Sequence, residues 1–402
     1  MAATGERLAS IDLFRGLTVA GMLLVNHPGD PEAVYAPLEH AAWHGWTPAD
    51  LIFPFFLFVV GISIHLSLAR RDATGADAAL VRRQILRRAG LICLIGLVLN
   101  WYPFYQSGPI PGHDAPGLAA RLVERLYRLR ILGVLQRIGL AYLGASLIAW
   151  RGSTRRVAAA AAALLLGYWA AMTLLPVPGE HVAGAALLDA PGRTLAAWLD
   201  RAVLDWSGAG LGNHLWDHSV TYDPEGILST LPAIATALLG VLAGRWLAGR
   251  RPLVERVSGL CAAGAVAAML GLVWHWVFPI NKQLWTSSYV LFTAGVAALA
   301  VGTVTWLLTV QRSDRWAWPF LVLGTNAILA YAGSELLARV LHSSIRIKLA
   351  GHWTPTELWA TRQLEAAGMA APAASLVWAV LYVALWCAII APLYRRGRFL
   401  RL

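Results

Sequence analysis

The sequence predicts an all-α polytopic membrane protein, with about ten transmembrane helices in one bundle and both termini in the cytoplasm. Three observations predict it. The 402-residue chain is 58% hydrophobic and only 14% charged, where a soluble domain is nearer one quarter charged. Its apolar residues gather into runs of about the length needed to span the hydrocarbon core, roughly 20 residues as a helix. Arginine-rich and arginine-poor loops alternate between those runs. The same composition excludes a disordered chain, a disulfide-stapled secreted module and an ordinary cytosolic enzyme. The net charge of +11 is assigned to basic loops at the membrane and not to nucleic-acid binding. Cys93, Cys261 and Cys387 all lie inside apolar runs, so they read as small buried hydrophobes and not as a disulfide or metal framework.

The first run covers residues 13–25, with Asp12 and Arg15 at its entrance and Asn26 at its far end. It is short for a span, and its two charges argue against a cleavable leader. Further runs begin at Leu51, Leu86, Ile131, Val157, Ile227, Val257, Trp285, Trp316 and Ala373. They are continuous and lack period-two alternation, which selects helices over a β-barrel. The fourth run is expected to contain Arg130, Gln136 and Arg137, and the sixth to begin with Asp223-Pro224-Glu225-Gly226. Asn281 and Lys282 precede the eighth, and Asn326 and Glu335 fall within the ninth. Leu118, Leu122, Leu126 and Leu129 recur at helical spacing beside Arg121, Arg125, Arg128 and Arg130, the pattern of an amphipathic interfacial helix. A second such helix is expected over 194–204. No linker, repeat or soluble appendage interrupts the chain, so 1–402 reads as a single transmembrane domain.

Orientation follows from the arginines. Arg70, Arg71, Arg82, Arg83, Arg87 and Arg88 crowd the loop after the second run, whereas the first loop, 26–50, has none. Later loops continue with Arg151, Arg155 and Arg156, then Arg245, Arg250, Arg251 and Arg256, then Arg312 and Arg315, and a tail with Arg395, Arg396, Arg398 and Arg401. The positive-inside rule places these in the cytoplasm. Asn26, His40, Asp50, Arg130, Arg137, Asp223, Glu225, Asn281, Lys282 and Glu335 then fall together toward the outer face. Charges in a bilayer are costly and mark sites or internal pairs, so six helices can converge on one outward polar cavity.

Each of these residues also has a plainer role. Arg137 can pair with Glu225 or Asp223 to hold helices together. Asp50, after Thr47-Pro48, can cap the second helix. His27, His44, His214 and His218 read as solvated loop or interface histidines, and Trp43, Trp46, Trp206, Trp216 and Trp285 as an aromatic belt. His214 and His218 flank Asp217 four residues apart, but one such pair is weak evidence for zinc, and no metal is expected. The glycines of 208–212 follow no strand, which argues against a nucleotide loop.

Six motifs in order carry a resemblance over nearly the whole chain. They are Ser10-Ile11-Asp12-Leu13-Phe14-Arg15-Gly16 running to Val25-Asn26; Glu39-His40-Ala41-Ala42-Trp43-His44-Gly45 running to Asp50-Leu51-Ile52-Phe53-Pro54; Arg130-Ile131-Leu132-Gly133-Val134-Leu135-Gln136-Arg137; Tyr222-Asp223-Pro224-Glu225-Gly226; Asn281-Lys282-Gln283-Leu284-Trp285-Thr286-Ser287-Ser288; and Gly324-Thr325-Asn326-Ala327. Together they resemble the heparan-α-glucosaminide N-acetyltransferase family, in a bacterial-type version. The resemblance implies acetyl transfer from cytoplasmic acetyl-CoA to the amine of a glucosamine-type sugar on the opposite face. It implies an integral protein of the bacterial cytoplasmic membrane whose site opens to the extracytoplasmic side, with membrane lipids and a second copy of the chain as further partners. The family's catalytic histidine matches His40, with Asn26 beside it. Family members often carry Asn where this chain has His44, which leaves the natural acceptor open.

An amine must lose a proton before it attacks a thioester, and an imidazole is suited to take it. On this reading His40 is the base or an acyl relay, Asn26 donates to the oxyanion, and Asp50 orients the imidazole. Arg15, Arg137, Gln136 and Asp12 are assigned to the coenzyme, whose phosphates favour arginine. Trp43, His44, Asp223, Glu225, Asn281 and Lys282 are assigned to the acceptor. Two other readings compete: a membrane transporter of a sugar or similar small molecule, and an O-acyltransferase of an envelope glycan.

Overall fold

A computed structural model describes residues 9–106, 108–110, 116–216, 219–349 and 351–399 of the chain. Nearly all regular structure there is helical. In chain order the helices are α1 (Ala9–Asn26), α2 (Pro48–Ala73), α3 (Ala78–Trp101), α4 (Leu118–Tyr127), α5 (Val134–Ala149), α6 (Thr154–Leu174) and α7 (Leu195–Leu204). They continue as α8 (Thr230–Leu247), α9 (Leu253–Trp274), α10 (Ser287–Thr309), α11 (Trp318–Thr325) and α12 (Ala327–Arg339). A small antiparallel hairpin, β1 (Arg346–Leu349) with β2 (His352–Pro355), leads to α13 (Thr356–Ala366) and α14 (Ala371–Arg395).

Every apolar run coincides with a helix, but the runs are not ten equal spans. Among the described residues eight helices, α1, α2, α3, α6, α8, α9, α10 and α14, are long and apolar enough to cross a membrane. The ninth run is broken: α11 and α12 meet at an angle of 86°, the geometry of a bent span or of a re-entrant loop. Its break falls at Asn326, just after Gly324 is pressed so closely on α1 that a Cβ there would lie 1.9 Å from the Asp12 carbonyl oxygen. The fourth run yields only the 16-residue α5, which starts at Val134, so Arg130 lies in the loop before it. The sixth helix likewise starts at Thr230, because Pro224 and Gly226 first fold into a turn.

More than half of each central helix, α1, α2, α8 and α10, is buried, whereas α3, α6, α9 and α14 keep most of their apolar surface outside. In water such exposure would be a liability; along a membrane helix it is the lipid-facing side. Small residues let the central helices meet. A Cβ on Gly61 of α2 would lie 1.9 Å from the Ala237 carbonyl oxygen, and one on Gly240 of α8 would lie 2.0 Å from that of Phe58. Backbones approach this closely only through glycine, the usual means of packing where apolar burial does not drive association.

The amphipathic helix expected near 118–129 is α4, and its apolar residues Leu118, Leu122 and Leu126 are exposed. Its arginines are not free positive charge. Arg125 donates to the Asn100, Trp101 and Tyr102 carbonyls, and Arg121 to those of Gln106 and Gly108. They therefore satisfy acceptors at and beyond the C-terminal end of α3, where a helix leaves carbonyls without partners. The expected helix over 194–204 is α7, capped by Thr194. It packs Ala196, Ala197, Asp200 and Leu204 inward.

Candidate active site

The loops after α1, α3, α6, α9 and α12 meet at one end of the bundle, opposite the arginine-rich connections. Gly45 N–H donates to Ile280 O and Ile131 N–H to His214 O, so loops distant in sequence are tied directly to one another, and Gly29 N–H donates to Ser375 O in the first turns of α14. Most of the sequence-singled polar residues lie here.

Asp50 is the buried centre of the first cluster. Thr47 and Pro48 start α2, and Asp50 at the third helical position reaches back to form a capping box. Its Oδ2 accepts the Ala41 N–H and the Thr47 N–H, both at 3.0 Å, and the Thr47 hydroxyl at 3.2 Å. Oδ1 is left for side chains: His40 Nδ1 stands 2.8 Å away and Lys282 Nζ 3.3 Å away. The carboxylate is fully buried while the His40 side chain is 44% exposed. Capping and imidazole contact are thus two uses of one carboxylate, not alternatives. Lys282 Nζ also lies 3.0 Å from His40 Nδ1 and 3.1 Å from Nε2. Burial pushes the Lys282 ammonium below the ordinary lysine value, against the pull of Asp50 and Glu225.

Next to this cluster, His44 is held between Asp189 Oδ1 (2.8 Å) and Asn281 Nδ2 (3.3 Å). Asn281 is wholly buried, and its Oδ1 accepts the Leu284 N–H. Trp43 donates to Leu188 O and packs edge-on against Tyr222, 5.9 Å between rings. Tyr222 in turn donates to Gln283.

The second cluster is built around Arg130. Its Nε and Nη2 grip both oxygens of Asp223 at 2.8 and 2.6 Å, and Nη2 also meets Glu225 Oε2 at 2.5 Å. Burial disfavours all these charges, yet each side stabilises the other: the two carboxylates hold the Arg130 guanidinium above its ordinary value, and Arg130 with Arg137 holds Glu225 below its own. The pairing expected of Arg137 is therefore made by Arg130. Arg137 is fully buried, donates to Gly226 O and Ser229 Oγ, and lies over Trp285, 5.2 Å from the ring. Its Nε and Nη1 have no hydrogen-bond partner among the described residues.

Four other predicted site residues stand outside these two clusters. Arg15 and Asp12 pair at the opposite end of α1, where Arg15 also bonds Ser63 on α2 and Gly324 O on α11 and so braces three helices. Gln136 donates to Ile131 O and fits under Gly96 of α3. Asn26 donates to Glu335 Oε1 at 3.4 Å.

Several histidine and tryptophan readings are corrected. Of the loop or interface histidines, two are not solvated: His214 is buried and bonds Leu129 O through Nδ1, and the His27 side chain, 8% exposed, packs at an interface against Tyr382. Trp285 is 1% exposed and belongs to the core beneath Arg137, not to an interfacial belt. Asp217 and His218 of the weak metal pair lie outside the described residues, as does Arg401.

Sequence reasoning missed Asp200. From α7 its Oδ1 accepts the Ile227 N–H at 2.8 Å and Oδ2 the Asp223 N–H at 3.3 Å, closing the turn that presents Asp223 and Glu225 to Arg130. Gly226 is required there, since a Cβ would stand 2.3 Å from Asp200 Oδ2. Burial pushes the Asp200 carboxyl up to about 6, with the Asp223 charge adding to the effect and the Ile227 N–H opposing it. No periodicity or motif marks Asp200; only its place on the inner face of α7 does.

Comparison with known proteins agrees with this set of motifs. Residues 7–273 match the family described as "Heparan-alpha-glucosaminide N-acetyltransferase, catalytic". The chain is 28% identical to the heparan-alpha-glucosaminide N-acetyltransferase of Mus musculus over 389 residues, which covers 83% of this chain and 54% of the relative. It is 30% identical to that of Homo sapiens over 381 residues, covering 84% and 54%. The chain thus spans about half the length of the curated relatives it matches.

Proposed function

Since the chain belongs to the heparan-alpha-glucosaminide N-acetyltransferase catalytic family, we propose that it is a membrane acetyltransferase that moves an acetyl group from acetyl-CoA to the amine of a glucosamine-type sugar. On this proposal the bundle acts as one unit in the bacterial cytoplasmic membrane, and the His40 end faces away from the cytoplasm. One observation carries the chemistry: a half-exposed imidazole sits on a fully buried carboxylate, 2.8 Å from Nδ1 to Oδ1.

On this reading Asp50, which can only accept, keeps the ring proton on Nδ1 across the 2.8 Å contact, and Nε2 becomes the accepting nitrogen as Lys282 Nζ, now 3.1 Å from it, turns to the substrate. His40 then takes a proton from the acceptor amine as the nitrogen attacks the acetyl carbonyl carbon. The carbon–sulfur bond breaks, and the same imidazole returns the proton to the departing thiolate. Charge develops on the carbonyl oxygen during attack. The Asn26 amide is bonded to Glu335, so this reading gives the oxyanion to Lys282, whose Nζ stands beside the ring. Trp43, His44 and Asn281, close to His40 in the same loop cluster, are assigned to the sugar. Arg137, with two buried nitrogens lacking partners, is the cation assigned to the donor, with Asp223, Glu225 and Arg130 holding its surroundings rigid. Arg15, Asp12 and Gln136 brace helices and are assigned no contact with substrate.

The test is thiol release from acetyl-CoA by detergent-purified protein, with and without glucosamine, beside His40→Ala. Glucosamine-dependent release that disappears in the variant is expected. Release without acceptor, together with an acetylated protein, would replace the base by an acyl relay. Folded protein that releases no thiol with any amine or alcohol would instead be a carrier.

A further inference from the structure

The arginine-rich end of the bundle holds polar side chains that take no part in this mechanism. Arg82, Arg83, Arg87 and Arg88 stand in the first turns of α3, and the fold divides them into two pairs. Arg82 lies over the Trp150 ring, 6.0 Å from its centroid, and Arg88 over that of Tyr142 at 5.0 Å. Both therefore fasten α3 to α5 and to the residue that ends it. Arg83 and Arg87 are exposed and make no hydrogen bond, ion pair or ring contact among the described residues. With Leu80 and Gln84 they line a cleft of about 430 Å³. Side chains four apart on a helix are neighbours, so these two guanidinium groups repel each other. The acidic residue nearest in sequence, Asp77, is turned to the Leu80 N–H as the cap of α3.

Where the cleft sits on the helix says what can fill it. α3 buries Val81, Ile85, Ala89, Ile92, Gly96 and Leu99 against the bundle. Arg83 and Arg87 stand on the opposite face, in line with Leu94 and Val98, which are 55% and 44% exposed. That stripe faces the acyl chains of a bilayer, and Arg87 precedes Leu94 by roughly two turns. Long basic side chains so placed extend along the helix to the phosphate layer. A phospholipid meets both features, its phosphate the arginine pair and its chains the apolar stripe. A soluble phosphate compound would use only the first.

We infer that Arg83, Arg87 and Gln84 form a binding site for the headgroup of an anionic phospholipid, in the leaflet at the arginine-rich end and independently of the acetyltransferase reading. Each guanidinium offers a planar fork of N–H donors to phosphate oxygens. The lipid's charge offsets the repulsion between the two arginines, and the Gln84 amide donates to a headgroup oxygen. The acyl chains lie along Leu94 and Val98.

Native mass spectrometry of the full-length purified chain, equilibrated with equal amounts of phosphatidylglycerol and phosphatidylcholine, tests this. Wild type should retain phosphatidylglycerol in at least about ten-fold excess as its first lipid, the scale expected of two arginines at a membrane surface. The excess should largely disappear in Arg83→Gln/Arg87→Gln. It should persist in Arg155→Gln/Arg156→Gln, which removes two exposed arginines from the start of α6 and leaves the cleft intact. Equal retention of the two lipids by wild type overturns the inference, as does an excess that survives the α3 double variant. Equal losses in the two double variants would show diffuse charge attraction and overturn the site as well. Should the α3 double variant melt abnormally, Arg87→Gln alone decides, an undiminished excess overturning the site. A final arm separates lipid from soluble phosphate. Inorganic phosphate or acetyl-CoA that displaces the retained phospholipid would give the cleft to a soluble ligand and overturn the lipid assignment.

Discussion

Asp50 joins a structural and a chemical role in one side chain, and substitution separates them. In Asp50→Asn one face of the amide becomes a donor. It then either opposes the Ala41 and Thr47 N–H groups or ceases to accept from His40. Hydrogen bonds to a charged acceptor are worth about 1.5–3 kcal/mol, and general-base catalysis about 100-fold or more. Asp50→Asn is therefore expected to lower both the melting temperature and the rate of acetyl transfer, the latter at least about 100-fold. A variant with normal turnover would remove Asp50 from the mechanism. Asp200 gives a prediction of opposite kind, in pH. Its folded-state value, about 6, lies above the ordinary 3.8, so folding favours the protonated form. Its contribution is complete below about pH 4 and fades as pH rises through about 6, an effect of at most roughly 3 kcal/mol. The stability difference between wild type and Asp200→Asn should accordingly shrink from pH 4 to pH 7 in thermal melts. A pH-independent difference would show that Asp200 does not titrate there. The sequence made Asp50 legible through its cap position and motif, but Asp200 binds backbone amides of a turn 23 and 27 residues on, and composition carries no trace of such a contact.

At the level of elements, hydropathy located the helices of the apolar runs, gave no sign of α13 or of the hairpin before it, and misjudged where three of the long helices begin or break. Arg130 was assigned to a helix because the apolar run continues past it, yet the helix starts only at Val134, after Gly133. The ninth run reads as a single apolar span carrying Asn326 and Glu335, and hydropathy alone does not turn the polar Asn326 into an 86° bend. What decides such features is close approach between helices, which side-chain polarity does not encode. Glycine does encode it, in part. Gly240 faces the Phe58 carbonyl oxygen, 2.0 Å from where a Cβ would sit, and backbone cannot swing aside as a side chain can. Gly240→Ala should push α2 and α8 apart and cost about 3 kcal/mol or more. Gly90, on α3, has nothing within 4 Å of its would-be Cβ, so Gly90→Ala should be neutral or gain up to about 1 kcal/mol of helix propensity. Comparing the melting temperatures of the two variants checks this. Equal effects would mean that the α2–α8 contact is not the tight one.

At the scale of the whole molecule, the candidate site is an assembly of loops that no local pattern connects. His40 and Lys282 are 242 residues apart and still touch. Hydropathy and arginine counting could say only that both lie at the same end; which atoms meet there is set by loop-to-loop hydrogen bonds such as Gly45 N–H to Ile280 O. The function proposed here needs more than a shared end. It needs that end to face away from the cytoplasm while the arginine-rich connections face inward, because donor and acceptor are taken to come from opposite compartments. The arginines argue for that orientation. Of the outer-end exceptions, Arg128 and Arg130 are paired with the carboxylates of Glu124, Asp223 and Glu225, while Arg121 and Arg125 are held on backbone carbonyls of the same loop. Two exposed positions make the orientation measurable: Ala42, beside His40, and Ser313, between α10 and α11. In intact cells a membrane-impermeant thiol reagent should label Ala42→Cys and leave Ser313→Cys unlabelled until the membrane is opened. The reverse pattern would put His40 on the cytoplasmic side, where acetyl-CoA and acceptor would meet without any crossing, and the transmembrane part of the proposal would fall while its chemistry could stand. Labelling of both positions in intact cells would mean that the membrane was not sealed, which an unsubstituted chain with its helix-embedded Cys93, Cys261 and Cys387 controls for.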